Sequence, residues 1–220
     1  MKKIGTKLLV VLTVALGGIV ASQQPTTAHA SNTISSTPSG HFKISQADYT
    51  FHWQTFKSGN KKGSVLVFGD FKQPAVHYAV PTKYKLSKNR RTLTTYYRLM
   101  NKDKLAKTTY RMDVYKYSNS KYRVKLNQYK AGLLPSYKGK TYTATITKSS
   151  PAQYFATTYT SVKLLKAVIP DYTQQIQTQF DQGKIKADPS NPDVQKQIRD
   201  RAVSDVSKVV QTFVSAYNAR

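Results

Sequence analysis

The chain has 220 residues, with 35 Lys plus Arg against ten acids, four histidines and no cysteine. Every acid is an aspartate. The missing thiol excludes disulfides, thiolate metal sites and cysteine nucleophiles, and the missing glutamate excludes an H-E-x-x-H zinc site and a glutamic general acid.

Lys2, Lys3 and Lys7 precede a run of thirteen apolar or small residues, Leu8 to Val20, and Ala28-His29-Ala30 follows a short polar stretch. A basic start, an apolar centre and a small-x-small site make up the layout of a secretory signal peptide, here cleaved after Ala30. The run falls short of the roughly twenty apolar residues needed to span a bilayer. No other long apolar run follows, so the chain from Ser31 onward is expected to be soluble and either secreted or associated with the cell wall. Its layout is similar to that of small exported proteins of Gram-positive bacteria. Without disulfides, the core alone must hold the fold after export.

Ser31–Gly40 is polar with Pro38 and Gly40, and reads as a disordered leader. From there to Thr147 come short segments rich in β-branched and aromatic residues, separated by turn clusters. The expected strands are Phe42–Phe56, Ser64–Phe71, Ala75–Val80, Leu93–Met100, Thr109–Tyr117, Lys121–Tyr129 and Thr141–Thr147. Gaps this short hold no helical crossover, so the pairing should be mostly antiparallel. In the first segment Tyr49, Phe51 and Trp53 share one face. They form either a core strand or an aromatic platform for a sugar ring, and the core is the preferred reading.

The pattern changes after Ser150. Pro151 opens a helix whose apolar positions run through Tyr154, Phe155, Val162, Leu165 and Ile169, weakened by Thr157, Thr158 and Thr160. Pro170 should end or kink it, and Tyr172, Ile176 and Phe180 suggest a second short helix stopped near Gly183. A last helix starts at Pro192, capped by Asn191 or Ser190. Its stripe is Val194, Ile198, Ala202, Val206, Val209, Phe213 and Tyr217, widened by Val203, Val210 and Val214, and it should pack on the protein. The expected surface pairs are Asp193–Lys196, Arg201–Asp205 and Asp205–Lys208. The fold class is therefore α+β: a mostly antiparallel sheet or sandwich over about 41–148, then a helical part over about 151–218, packed on the β region as one domain.

Charge divides the same way. His41 to Ser150 holds 23 basic and four acidic residues, net +19, while Pro151 to Arg220 holds nine and six, net +3. Such asymmetry bears on partners and encounter rates. The expected partner is an anionic cell-surface polymer, such as teichoic acid, with nucleic acid and anionic lipid as lesser candidates. The helical region is a docking site for a second surface protein under the same reading. No cofactor and no metal site are expected.

The segment Thr109–Lys130 concentrates this character, with five tyrosines, a run of cations and Asp113 as its one acid. A three-residue loop at Ser118-Asn119-Ser120 sets Val114 opposite Val124, Met112 opposite Leu126 and Asp113 opposite Lys125. A two-residue turn would mix apolar and charged faces. The three-residue loop wants glycine at its left-handed position, where this chain offers serine. The outer face then presents Arg111, Tyr115, Tyr117, Lys121, Arg123, Lys125 and Tyr129, the candidate binding residues. Tyrosine supplies apolar area and a hydroxyl, while Lys and Arg attract phosphate.

The leading function is thus a secreted, non-catalytic, basic surface protein that binds wall polyanions through this face. One alternative is a wall-acting hydrolase with a dispersed Asp/His/Ser site that includes Asp70 or His77. The other is a secreted cationic toxin acting on membranes. No G-x-S-x-G, Walker A or G-x-G-x-x-G motif is present.

Overall fold

The structure is a computed structural model that describes residues 32–58, 60–101, 104–127 and 141–219. The expected export signal, Ser31 and Tyr129 lie outside the described residues.

Among the described residues nine strands form one sheet: β1 His41–Ile44, β2 Tyr49–Ser58, β3 Lys61–Asp70, β4 Ala75–Leu86, β5 Thr92–Asn101, β6 Lys104–Leu105, β7 Tyr110–Lys116, β8 Lys121–Asn127 and β9 Thr141–Thr147. Their order is β4-β3-β2-β1-β9-β8-β7-β5-β6. A further pairing joins β4 to β5, so the order closes on itself as in a barrel rather than splitting into the two sheets of a sandwich. The described registers are antiparallel. Helices α1 Ala152–Phe155, α2 Val162–Asp181 and α3 Pro192–Asn218 follow. The fold is α+β with an antiparallel sheet.

Most expected strands shift by one to three residues at their ends, the short β6 falls in an expected break, and two differences are larger. The segment Phe42–Phe56 is broken by a single 3-10 turn at Ser45–Ala47, and Asp48 leaves that turn in the left-handed region at φ 49°. Aspartate tolerates this conformation better than most residues, because its short polar side chain can bond locally. The strand expected at Ala75–Val80 continues to Leu86. Pro81 does not stop it, because the register shifts between Pro81 and Lys83 and the residue that donates no hydrogen bond falls at this irregularity.

The chain forms two compact units. Among the described residues the first takes in 32–39, His52–Val67 and His77–Ala144. Its core includes Val65, Leu66, Tyr97, Met112, Val114, Val124 and Leu126, all at or below 5% exposure. The described part of the expected leader has no regular structure, but Ile34, its one apolar residue, is buried. The Ile34 amide donates to Arg90 O at 2.6 Å, and Lys116 Nζ donates to Thr33 O at 3.1 Å. A single isoleucine thus anchors an otherwise polar segment.

The second unit comprises Gly40–Phe51, Phe68–Val76 and Thr145–Arg220. Phe71 is its hub. Fully buried, its ring meets Phe155 at 5.3 Å, Phe213 edge-on at 4.9 Å and Tyr217 edge-on at 6.1 Å. Gly69 lets Tyr217 approach the backbone, since a Cβ there would lie 2.8 Å from that ring.

Helix α3 begins as expected. Asn191 is its N-cap, with the side chain accepting from the Asp193 amide at 2.8 Å, and Pro192 opens the first turn. The buried stripe is Ile198, Ala202, Val206, Val210, Phe213, Val214 and Tyr217, so Val203 and Val209 fall on the exposed side. Arg201 and Lys208 both pair with Asp205, as spaced, whereas Lys196 pairs with Asp200 rather than Asp193.

The threonine-rich stretch before α2 is a π-helical segment, Ala156–Ser161, where β-branching had weakened the helix. Buried Thr160 donates its hydroxyl to Phe71 O at 2.9 Å. Pro170 neither ends nor splits α2. It costs one backbone hydrogen bond, and the following turn is held from elsewhere: Tyr172 donates to Asp205 Oδ2 on α3 at 3.0 Å, and Thr173 donates to Ile169 O at 2.9 Å. The stop at Gly183 stands. Its φ of 63° allows the Lys184 amide to reach Gln179 O and the Gly183 amide to reach Phe180 O, a Schellman closure.

Truncating the hub tests this account. Phe71→Ala should cost about 3–5 kcal/mol in urea unfolding, whereas Val203→Ala on the exposed side of α3 should stay within about 0.5 kcal/mol. Equal effects would show that the aromatic cluster does not anchor the unit.

Candidate functional site

The β7–β8 hairpin sets the site. Val114 lies opposite Val124, Met112 opposite Leu126 and Asp113 opposite Lys125, the register that core patterning requires. Burial alternates with it: Met112, Val114 and Val124 are fully buried and Leu126 nearly so, while Arg111, Lys121, Arg123 and Lys125 are exposed. The loop is closed by the Tyr117 and Ser118 amides, both donating to Lys121 O at 3.0 Å. Serine replaces the glycine expected there by a different device. The loop contains no residue of positive φ, and Ser118 Oγ accepts from the Lys121 amide at 3.2 Å.

Neighbouring strands extend the outer face. Tyr96 on β5 pairs with Arg111, and Thr94 pairs with Asp113. On β4, Lys83 pairs with Tyr96 and Lys85 with Thr94, both lysines exposed. Arg98 lies two residues along β5 from Tyr96, on the same side. Arg91, just before β5, completes the face by donating to Lys116 O and Tyr117 O at 3.4 Å. Four adjacent strands of the first unit therefore present eight cations and one acid among the described residues.

Three tyrosines organise those cations. Lys85 Nζ lies 5.9 Å from the Tyr96 ring centre, the Arg91 guanidinium 5.0 Å from that of Tyr115, and the Arg123 guanidinium 5.5 Å from that of Tyr117. These are cation–π distances. Such stacking restricts long side chains before any ligand arrives, which lowers the ordering cost of binding. Asp113 is screened from the rest of the face. It pairs with Arg111 at 2.9 Å and accepts from Thr94 Oγ1 at 2.7 Å, so its observed ion pair is along the strand rather than across to Lys125.

Six of the seven candidate binding residues lie on this face: Arg111, Tyr115, Tyr117, Lys121, Arg123 and Lys125. Lys83, Lys85, Arg91, Tyr96 and Arg98 join them and were not singled out by sequence. Lys83 and Lys85 were assigned to a loop because Pro81 was read as a strand end. Tyr96 and Arg98 sit in an expected strand whose neighbour could not be chosen from sequence.

The other candidate features have structural roles. Tyr49 and Phe51 are fully buried and Trp53 is 7% exposed, as a core strand requires. Asp70, named for the hydrolase alternative, belongs to the second unit and His77 to the first. Asp70 is buried, and its Oδ1 accepts from the Lys72 amide at 3.0 Å and the Gln73 amide at 2.9 Å. It holds the turn after β3. Burial raises its carboxyl above the usual range, opposed by those two amides and by the nearby Lys163.

No described helix is long and apolar enough to cross a membrane. Neither a protein-family description nor a curated protein sequence matches the chain.

The Asp70 environment gives a signed prediction. A carboxyl with a raised folded value holds its proton more tightly in the native state, so stability declines as pH climbs from the unfolded value through the folded one. Asp70→Asn keeps the Oδ1 acceptor and removes the buried charge. Its melting temperature at pH 7 should match or exceed that of the parent, and any gain should vanish below about pH 4. A loss at pH 7 would show that the charged acceptor outweighs its burial and would overturn the raised carboxyl value.

Proposed function

We propose that the protein is an exported, non-catalytic, basic surface protein that binds anionic cell-wall polymer through the β4-β5-β7-β8 face. One observation carries the reading: three Lys/Arg–Tyr stacks lie together on a four-strand surface whose single acid is already paired. A face of solvated lysines kept only for solubility needs no such ordering. The tyrosines also add apolar contact beside each charge, which suits a polymer with both phosphate and carbon backbone.

The export signal supports the location of that partner. Cleavage after Ala30 would release the chain beyond the membrane, where wall teichoic acid is an abundant polyanion. Sequencing the protein recovered from culture supernatant or wall extract should find Ser31 as the first residue.

Binding to purified walls should be strong at low salt. It should fall steeply through physiological ionic strength, where exposed charges are screened within about 8 Å. Walls stripped of teichoic acid should retain little protein. Binding that is indifferent to salt, or equal on stripped walls, would overturn the reading. Release of soluble wall fragments that is lost in the Asp70→Asn variant would instead establish the hydrolase alternative.

A further inference from the structure

The outer face has a direction. Along β8, Lys121, Arg123 and Lys125 are exposed, with Tyr122, Val124 and Leu126 buried between them. Alternate residues of a strand are about 6.8 Å apart, so the backbone positions of these three cations form an even row about 14 Å long, with the Arg123 guanidinium leaning over the Tyr117 ring. Across the strands the charges are interrupted. The line from Lys125 passes Asp113 and Thr94 before it reaches Lys85, and the line from Arg123 passes Tyr115 and Thr92. Cations are therefore continuous along β8 and discontinuous across the sheet.

The two flanks of the row differ. On one side stand Tyr115 on β7 and Tyr117 just past its end. On the other lies β9, where Thr141 and Thr143 are exposed while Tyr142 and Ala144 are buried. Long cationic side chains thus stand between a low threonine rail and a higher tyrosine rail. The rings of the tyrosine rail already stack on cations: Tyr117 on Arg123 and Tyr115 on Arg91. One face of each ring thus places a guanidinium group, whereas single-strand binders keep their aromatic faces for nucleobases.

We propose that the ligand of this face is an extended, base-free polyol phosphodiester that lies along β8, with one phosphate at each of Lys121, Arg123 and Lys125. The threonine hydroxyls of β9 hydrogen-bond to the polyol. The inference rests on the polyanion-binding reading and adds the repeat length and direction of the polymer. Three bonds of an extended polypeptide span about 3.3–3.6 Å, so the six bonds between phosphorus atoms in a three-carbon polyol phosphate span about 7 Å. That matches the spacing of the three strand positions. The eight bonds of a five-carbon polyol phosphate span about 9 Å by the same scale, and its third phosphate would miss Lys125.

The test is fluorescence anisotropy of the purified protein with four labelled probes of equal charge: poly(glycerol phosphate), poly(ribitol phosphate), oligothymidylate and heparin. Poly(glycerol phosphate) should bind about tenfold tighter than poly(ribitol phosphate). Arg123→Gln and Lys125→Gln should each weaken it about fivefold or more, and each should reduce the slope of log affinity against log salt by about 0.7. Lys57→Gln, the same charge change at an exposed lysine of β2 outside the four-strand face, should cost less than about twofold. Lys125 makes no ring contact described for Arg123, so its variant separates a binding effect from a disturbed stack. Equal binding of all four probes, or equal effects at Lys57 and Lys125, would overturn the inference and leave polyanion binding standing. Tightest binding of oligothymidylate would overturn the base-free assignment. Failure of every probe at low salt would overturn both readings.

Discussion

The cationic face depends on one constraint, the pairing of Val114 with Val124. Side chains of a strand alternate with a period of two, so a slip of one residue would exchange the faces of the whole hairpin. It would send Arg123 and Lys125 into a core where Met112, Val114 and Val124 are fully buried. The cost of unpaired buried charge forbids that arrangement. Burial therefore fixes the register, and the register fixes which tyrosines face which way. Tyr110 and Tyr122 turn inward, while Tyr115 and Tyr117 turn outward beside the cations. The loop accommodates this pairing rather than dictating it, since Ser118 closes it from the side chain without a left-handed residue.

What the sequence revealed divides along the same physical line. Period-two burial is local and strong, and it was enough to place Met112 opposite Leu126 and to turn the hairpin cations outward. Helix capping is equally local, which is why Asn191 and Gly183 were readable as boundaries. Effects that depend on distant partners were hidden. Pro170 looked like a helix breaker until Tyr172 was seen to bond Asp205 on α3. Pro81 looked like a strand end because a bulge depends on the opposite strand. The face itself was half legible. Its β8 row and the two outward tyrosines of β7 came from alternation alone, but no local pattern could announce that β5 and β4 would bring Tyr96, Lys83 and Lys85 beside them.

The acids show how differently the two charge regimes are built. On α3 the carboxylates sit one turn from cations, and Asp205 serves Arg201, Lys208 and Tyr172 together. Pairs of this exposed kind contribute little individually, but they leave the surface close to neutral. On the β face one aspartate is set against eight cations, and it is placed where Thr94 and Arg111 occupy it. The remaining positive charge is left for solvent or a ligand.

That arrangement works against the fold. Like charges on alternate positions of one strand repel, and a surface of single sign destabilises the compact state. The cores do not need these residues: Phe71 and its aromatic neighbours organise one unit, and the buried halves of β5, β7 and β8 organise the other. Arg91 and Arg98 are partial exceptions, since the Arg91 guanidinium donates to Lys116 O and Tyr117 O and Arg98 Nε donates to Ala106 O. For Lys121, Lys125, Lys83 and Lys85 no structural bond of that kind is described. Edge protection does not account for them either, because β8 is paired on both sides by β7 and β9 and has no open edge to guard. Their concentration on one surface is then best understood through what approaches it from outside.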